Sequence, residues 1–216
     1  MKVISFPLAL QATILATIFT AAGRAEDQGA LAFSKQELQA KLQYCKICHG
    51  PSGEGFHGAV PIPRLAGQQR EYIENQLRAL IARRRTDPIM SQVAHPLNPS
   101  MVPDLAAHFS ELNPKPLGGA RKELAAAGKK IFEEGIPETN VPPCASCHGP
   151  DAKGSGQVPR LAGQLQDYIL KELKTWSEER GLDPANPDPS AMMAGIAHSL
   201  TDSQIEAVAA YVNYLE

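Results

Sequence analysis

Nothing in this chain reads as a strand. Alternating apolar and polar runs bounded by hairpin turns are missing, which excludes a sheet-built fold and leaves helices. No basic stripe and no nucleic-acid-binding motif occurs, and with 21 Lys and Arg against 23 Asp and Glu the chain is slightly acidic, so nucleic acid is excluded as a partner. The one dense basic run, Arg83-Arg84-Arg85, reads as a solvated helix end, where positive charge is favourable. There is also no cysteine outside two short motifs.

No uninterrupted apolar run reaches membrane-spanning length. The stretch from Val3 to Ala22 comes nearest, but Ser5, Pro7 and Gln11 interrupt it. It follows a positive start, Met1-Lys2, and runs into the small residues Gly23 and Ala25. That pattern predicts a cleaved export signal over residues 1–25. Its removal takes away Lys2 and Arg24, leaving 19 basic residues against 23 acidic, a formal charge of −4.

The cysteines stand in Cys45-Lys46-Ile47-Cys48-His49 and Cys144-Ala145-Ser146-Cys147-His148. An exported C-x-x-C pair could form a disulfide, and two such pairs could share a zinc ion. Neither reading explains a histidine directly after each second cysteine. C-x-x-C-H is the spacing of covalent c-type haem attachment. The two thiols add to the two vinyl groups of one haem, and the histidine ligates its iron. Two motifs predict two covalently bound haem c groups, with His49 and His148 as proximal ligands.

The motifs belong to a longer duplication. Both continue Gly-Pro. Pro63-Arg64-Leu65-Ala66-Gly67-Gln68 returns as Pro159-Arg160-Leu161-Ala162-Gly163-Gln164, each followed by a tyrosine, Tyr72 and Tyr168. Met90 and His95 have the counterparts Met193 and His198. The order of parts is the same, so the chain is two similar domains rather than a solenoid. Prolines and glycines from Asn113 to Gly119 separate them. The expected organisation is a signal over 1–25, a first domain over 26–113, a linker over 114–119 and a second domain over 120–216. Each half is small for a self-sufficient core, and a buried haem supplies apolar volume.

Within each half the patterns are helical. Ser34-Lys35-Gln36-Glu37 is a capping box opening a helix that runs to Cys45, and Thr201-Asp202-Ser203-Gln204 opens the last one. Further helices are expected near 69–84, 98–112, 120–134 and 165–180. Pro61-Ile62-Pro63 is extended, and the Pro63 carbonyl can face His49 and fix its tautomer. His57 and His108 have no duplicated counterpart and read as a solvated loop residue and a structural residue. Asp87-Pro88 ends the second helix and opens a loop holding Met90.

The group opposite each histidine decides what the iron does. Two duplicated pairs compete: Met90 with Met193, and His95 with His198. The flexible thioether suits a loop approach, and a methionine in both halves is hard to read as mere gap-filling. His95 and His198 could instead cap the final helices or bond a propionate. Methionine is favoured, which predicts two low-spin haems of relatively high potential.

Two C-x-x-C-H-G domains, each with P-R-L-A-G-Q and a later methionine before the last helix, resemble the dihaem cytochromes of the c4 type over about residues 34–216. The resemblance implies an all-α fold of two tandem cytochrome c-like domains related by a pseudo-twofold, each wrapped around one covalently attached haem. It implies a periplasmic electron carrier, sometimes loosely membrane-associated. The expected partners are a cytochrome bc1-type donor and a terminal oxidase or dehydrogenase. It places Cys45, Cys48, Cys144 and Cys147 on the haems, His49 and His148 proximal, Met90 and Met193 distal, and Arg64 and Arg160 near propionates or the domain interface. An alternative is the dihaem subunit of a dehydrogenase complex such as a flavocytochrome sulfide dehydrogenase. A haem peroxidase needs an open iron and a distal acid–base group, which only His57 or His95 offers; no enzyme activity is expected.

Overall fold

A computed structural model describes residues 33–180 and 190–216. The expected export signal lies outside the described residues, as does the stretch over 181–189. In the first half α1 is Lys35–His49, α2 Arg70–Ile81, α3 Met90–Ala94 and α4 Val102–Ser110. In the second half α5 is Lys122–Glu134, α6 Ala145–His148, α7 Gln166–Lys174, α8 Trp176–Glu179, α9 Ser190–Ser199 and α10 Asp202–Asn213. Among the described residues no sheet forms, only single antiparallel bridges such as Phe56 with Ile62.

Local chemistry sets the helix starts. Ser34 Oγ accepts from Glu37 N–H and Glu37 reaches back to Ser34 N–H, so the capping box is complete; Thr201 and Gln204 make the same exchange. The ends are less regular. The helix expected over 69–84 stops at Ile81, because Arg83 turns left-handed at φ 58°. Arg84 N–H then bonds Ala79 O at 2.8 Å and Arg83 N–H bonds Leu80 O at 3.2 Å, the two closures of a Schellman motif without its usual glycine. The helix expected over 165–180 breaks at Thr175, whose hydroxyl donates to Lys171 O at 2.9 Å and so competes with the backbone ladder. The helix expected over 98–112 begins as a 3-10 turn at Pro99–Met101, where Asn98 accepts from Ser100 N–H.

Each half has its own core. In the first, Leu42 of α1, Ile73 of α2, and Val102, Leu105 and Phe109 of α4 pack together, with Cys45 against their edge. In the second, Phe132 of α5, Ile169 of α7, and Val208 and Val212 of α10 do the same, with Cys144 at the edge. Burying such side chains is worth about 1.5–3 kcal/mol each. α5 and α10 cross so closely that a Cβ on Gly128 would lie 1.9 Å from Ala207 O.

Corresponding backbone bonds shape the two halves alike. Gly55 N–H donates to His49 O and Gly154 N–H to His148 O, both at 2.8 Å. Gly67 N–H donates to Phe109 O at 3.0 Å and Gly163 N–H to Val212 O at 2.9 Å, which ties each Leu-Ala-Gly stretch to the last helix of its own half.

Candidate haem sites

α1 delivers Cys45, Cys48 and His49 on its last turn, and α6 delivers Cys147 and His148 immediately after Cys144. No disulfide joins any two of the four cysteines, against the disulfide reading. Among the described residues no group of three or more His, Cys, Asp and Glu side chains gathers closely enough to hold a metal ion, which removes the shared zinc site. Cys48 and Cys147 are exposed, while Cys45 and Cys144 lie against the cores. Burial raises the Cys45 thiol and pushes the Cys144 thiol up to about 11, so both are neutral in the haem-free chain.

The histidines are almost fully buried, 5% exposed for His49 and 6% for His148. His49 Nδ1 lies 3.0 Å from Pro63 O and His148 Nδ1 lies 2.9 Å from Pro159 O. A carbonyl only accepts, so each Nδ1 carries the proton and each Nε2 keeps its lone pair for a metal. Burial lowers both imidazole pKa values, which keeps them neutral. Two thiols on one turn beside a neutral imidazole of fixed tautomer suit a covalently held haem.

The arginines of the repeated motif add to that fit. Arg64 is 3% exposed; its Nε donates to Ala66 O at 2.9 Å and one terminal nitrogen to Pro114 O at 2.8 Å. Its Nη1 is buried without a partner. Arg160 repeats the first bond, Nε to Ala162 O at 2.9 Å. Burial, then the neighbouring Arg160, lowers the Arg64 pKa, while Glu54 acts against them. Arg64 and Arg160 lie close enough to feel each other's charge, and among the described residues no carboxylate hydrogen-bonds to either, which suits a pair of propionates.

Met90 opens α3 and is half-buried, where the sequence suggested a loop. Asp87 makes the difference: its carboxylate accepts from the N–H groups of Ile89 and Met90, so a short helix starts there. Met193 lies half-buried in α9, while its neighbour Met192 is 66% exposed. His95 and His198 face solvent.

Arg85 departs from its sequence reading, His57 keeps its exposure but gains partners, and His108 agrees with its reading. Arg85 is not solvated: its side chain is 12% exposed and reaches Gln76 at 3.0 Å and Glu172 at 3.2 Å. His57 is exposed as expected, yet its ring bridges Asp167 at 3.2 Å and Gly118 O at 3.1 Å. His108 packs edge-on against Phe109, in keeping with a structural role.

The contact between the halves was the least legible part. Gln68 Nε2 donates to Arg160 O while Arg160 N–H donates to Gln68 Oε1 at 2.7 Å; Gln164 and Arg64 make the mirror-image exchange at 3.0 and 2.9 Å. The repeated motif thus binds its own copy. Beside it, Arg85 reaches Tyr168 and Glu172, and Arg180 reaches Tyr72 and Gln76 as well as Glu172. The duplicated Gln and Tyr were visible in the sequence as repeats, without any sign that they meet.

Comparison with known proteins gives one consistent family. A family model described as cytochrome c matches residues 125–216. The chain is 44% identical over 176 residues to a cytochrome c4 of Thiocapsa roseopersicina, covering 79% of this chain and 86% of that protein. It is 36% identical over 171 residues to a thiosulfate dehydrogenase electron acceptor of Thiomonas intermedia, covering 78% and 76%. The crystal structure of reduced cytochrome c4 from Pseudomonas stutzeri superposes with a TM-score of 0.72 at 31% identity, covering 86% of this chain and all of that one. With two C-x-x-C-H sites, two helical cores and relatives that match across both halves, the chain belongs to the cytochrome c4 family: an all-α dihaem electron-transfer protein carrying two covalently bound haem c groups.

Proposed function

We propose that Cys45 and Cys48 bind one haem and Cys144 and Cys147 the other, with His49 and His148 as proximal ligands and Met90 and Met193 as distal ligands. The observation that carries this reading is the matched pair of Nδ1 contacts to Pro63 O and Pro159 O, which leaves Nε2 of each histidine free to ligate. The half-buried Met90 and Met193, set against exposed His95, His198 and Met192, support methionine. Arg64 and Arg160 would pair with the propionates. The halves act as domains over 26–113 and 120–216, joined by 114–119, with 1–25 directing export to the periplasm.

Bound haem iron supplies a one-electron couple, and methionine opposite histidine raises its potential. The protein holds the imidazoles neutral and oriented, and the guanidiniums of Arg64 and Arg160 would hold the propionates. Were Met90 and Met193 to ligate the irons opposite the histidines, no position would be left for peroxide. The protein carries single electrons from a cytochrome bc1-type donor to a terminal oxidase or similar acceptor. A dehydrogenase partner, as donor or as complex, is the second reading, supported by the relative described as a thiosulfate dehydrogenase electron acceptor. Met90→Ala and Met193→Ala should each abolish one of two near-infrared thioether bands of the oxidised protein; retention of both bands in either variant would reject that methionine. Co-purification with a flavoprotein in stoichiometric amount would favour the complex subunit over the free carrier.

A further inference from the structure

Three consecutive residues ahead of Met90 are fastened to the other half of the molecule. Arg85 reaches Glu172 at 3.2 Å. Thr86 N–H donates to Glu179 O at 2.8 Å, and its hydroxyl donates to Glu178 O at 3.4 Å. One Asp87 oxygen, Oδ2, accepts from Lys171 Nζ at 2.9 Å. Lys171 is itself held by Glu179 at 2.9 Å and Glu172 at 3.4 Å.

The other Asp87 oxygen faces its own half. Oδ1 accepts from Ile89 N–H at 3.0 Å and from Met90 N–H at 2.8 Å, and Asp87 N–H donates to Ser91 Oγ at 3.0 Å. One carboxylate therefore starts α3 and docks it. A five-residue helix cannot hold itself, because nucleation costs more than so few backbone bonds return. Met90 is its first residue, so its placement depends on the cap. The Asp87 side chain is 16% exposed and that of Lys171 is 26% exposed, so the pair is partly shielded from water.

We propose that Lys171 of α7 is a positioning residue for Met90, acting through Asp87, so that a side chain of the second half sets the axial ligation of the first-half haem. The proposal rests on Met90 being the distal ligand. Among the described residues the hydrogen bonds of Lys171 Nζ go to Asp87, Glu172 and Glu179, none of them a haem-binding residue, so a purely local account expects nothing at the first iron.

The test uses the full haem-loaded protein and reads both reduction potentials, the near-infrared thioether band and the melting temperature. A Met193→Ala background makes the remaining band report the first haem. Lys171→Met is expected to weaken that band and lower the first haem's potential, leaving the second haem's potential unchanged in the otherwise native protein. Lys171→Arg should restore both. Asp87→Asn keeps a capping oxygen but loses the ion pair, so it should reproduce the Lys171→Met shift, and the double variant should be no worse than either single one. A lower melting temperature with both potentials unmoved would make Lys171 merely structural and overturn the proposal, as would a shift at the second haem alone. If Met90→Ala leaves the first-half band intact, the ligand reading itself fails and the proposal falls with it.

Discussion

His49 and His148 show how little freedom the chemistry leaves at single residues. The attachment motif was legible because two thioethers and one iron–nitrogen bond fix the spacing of three side chains whatever the surroundings. The Pro63 contact was legible because a proline-flanked stretch is extended and its carbonyl needs a donor. That stretch sits close against the glycine loop: a Cβ on Gly55, at φ +85°, would stand 2.5 Å from Ile62 O and 2.8 Å from Arg64 N. Gly55→Ala should therefore destabilise the first half by about 1–3 kcal/mol, the usual cost of overpacking, seen as a lower melting temperature. Arg85 was not legible. Three arginines at a helix end look solvated, and the carboxylate that buries the third lies 87 residues along the chain.

Among the elements, the helices that begin with a capping box were read correctly, since the signal is local. The misread ends have local causes without a sequence signature. α2 closes on a left-handed arginine rather than a glycine, and the helix after Leu165 breaks where a threonine hydroxyl bonds back into its own ladder. Met90 was placed in a loop because a proline precedes it by two residues; the Asp87 cap turns that loop into α3. The crossing of α5 and α10 makes the sharpest prediction at this scale. Gly128→Ala would drive a Cβ to 1.9 Å from Ala207 O, so the helices must part. The second half should lose about 2–3 kcal/mol, with the first-half core around Phe109 unfolding as before. Hydrogen exchange resolved by segment would show the difference, and equal loss of protection in both halves would contradict it.

For the whole molecule, duplication was plain in the sequence while the pairing of its copies was not. Repeats say which residues correspond, and nothing about which surfaces meet. The meeting surface is nearly symmetric, with Tyr72, Gln76 and Arg85 opposite Tyr168, Glu172 and Arg180. The symmetry breaks at Gln76 and Glu172, so two buried guanidiniums share one carboxylate. Burial alone would raise the Glu172 pKa, but Arg180 and Arg85 overcome it and hold the carboxyl down at about 2. A depressed carboxylate contributes stability that is fully present above its unfolded pKa near 4.5 and lost as pH falls towards 2. The contribution is on the order of 3 kcal/mol. Acid should thus loosen the contact between the halves in that window, seen as faster proteolysis of the 111–121 connection. Glu172→Gln should cost about 3–5 kcal/mol at neutral pH, because it leaves two buried cations unpaired.

His49 with Met90, and His148 with Met193, are the ligand pairs proposed for the two irons, and such ligation suits electron transfer. A redox titration of the haem-loaded protein, followed by optical and magnetic spectra, tests it most directly. Two one-electron steps, two low-spin haems and thioether ligation at both irons are expected. Bis-histidine ligation at both irons, or a high-spin iron that binds carbon monoxide rapidly in the native reduced protein, would contradict it.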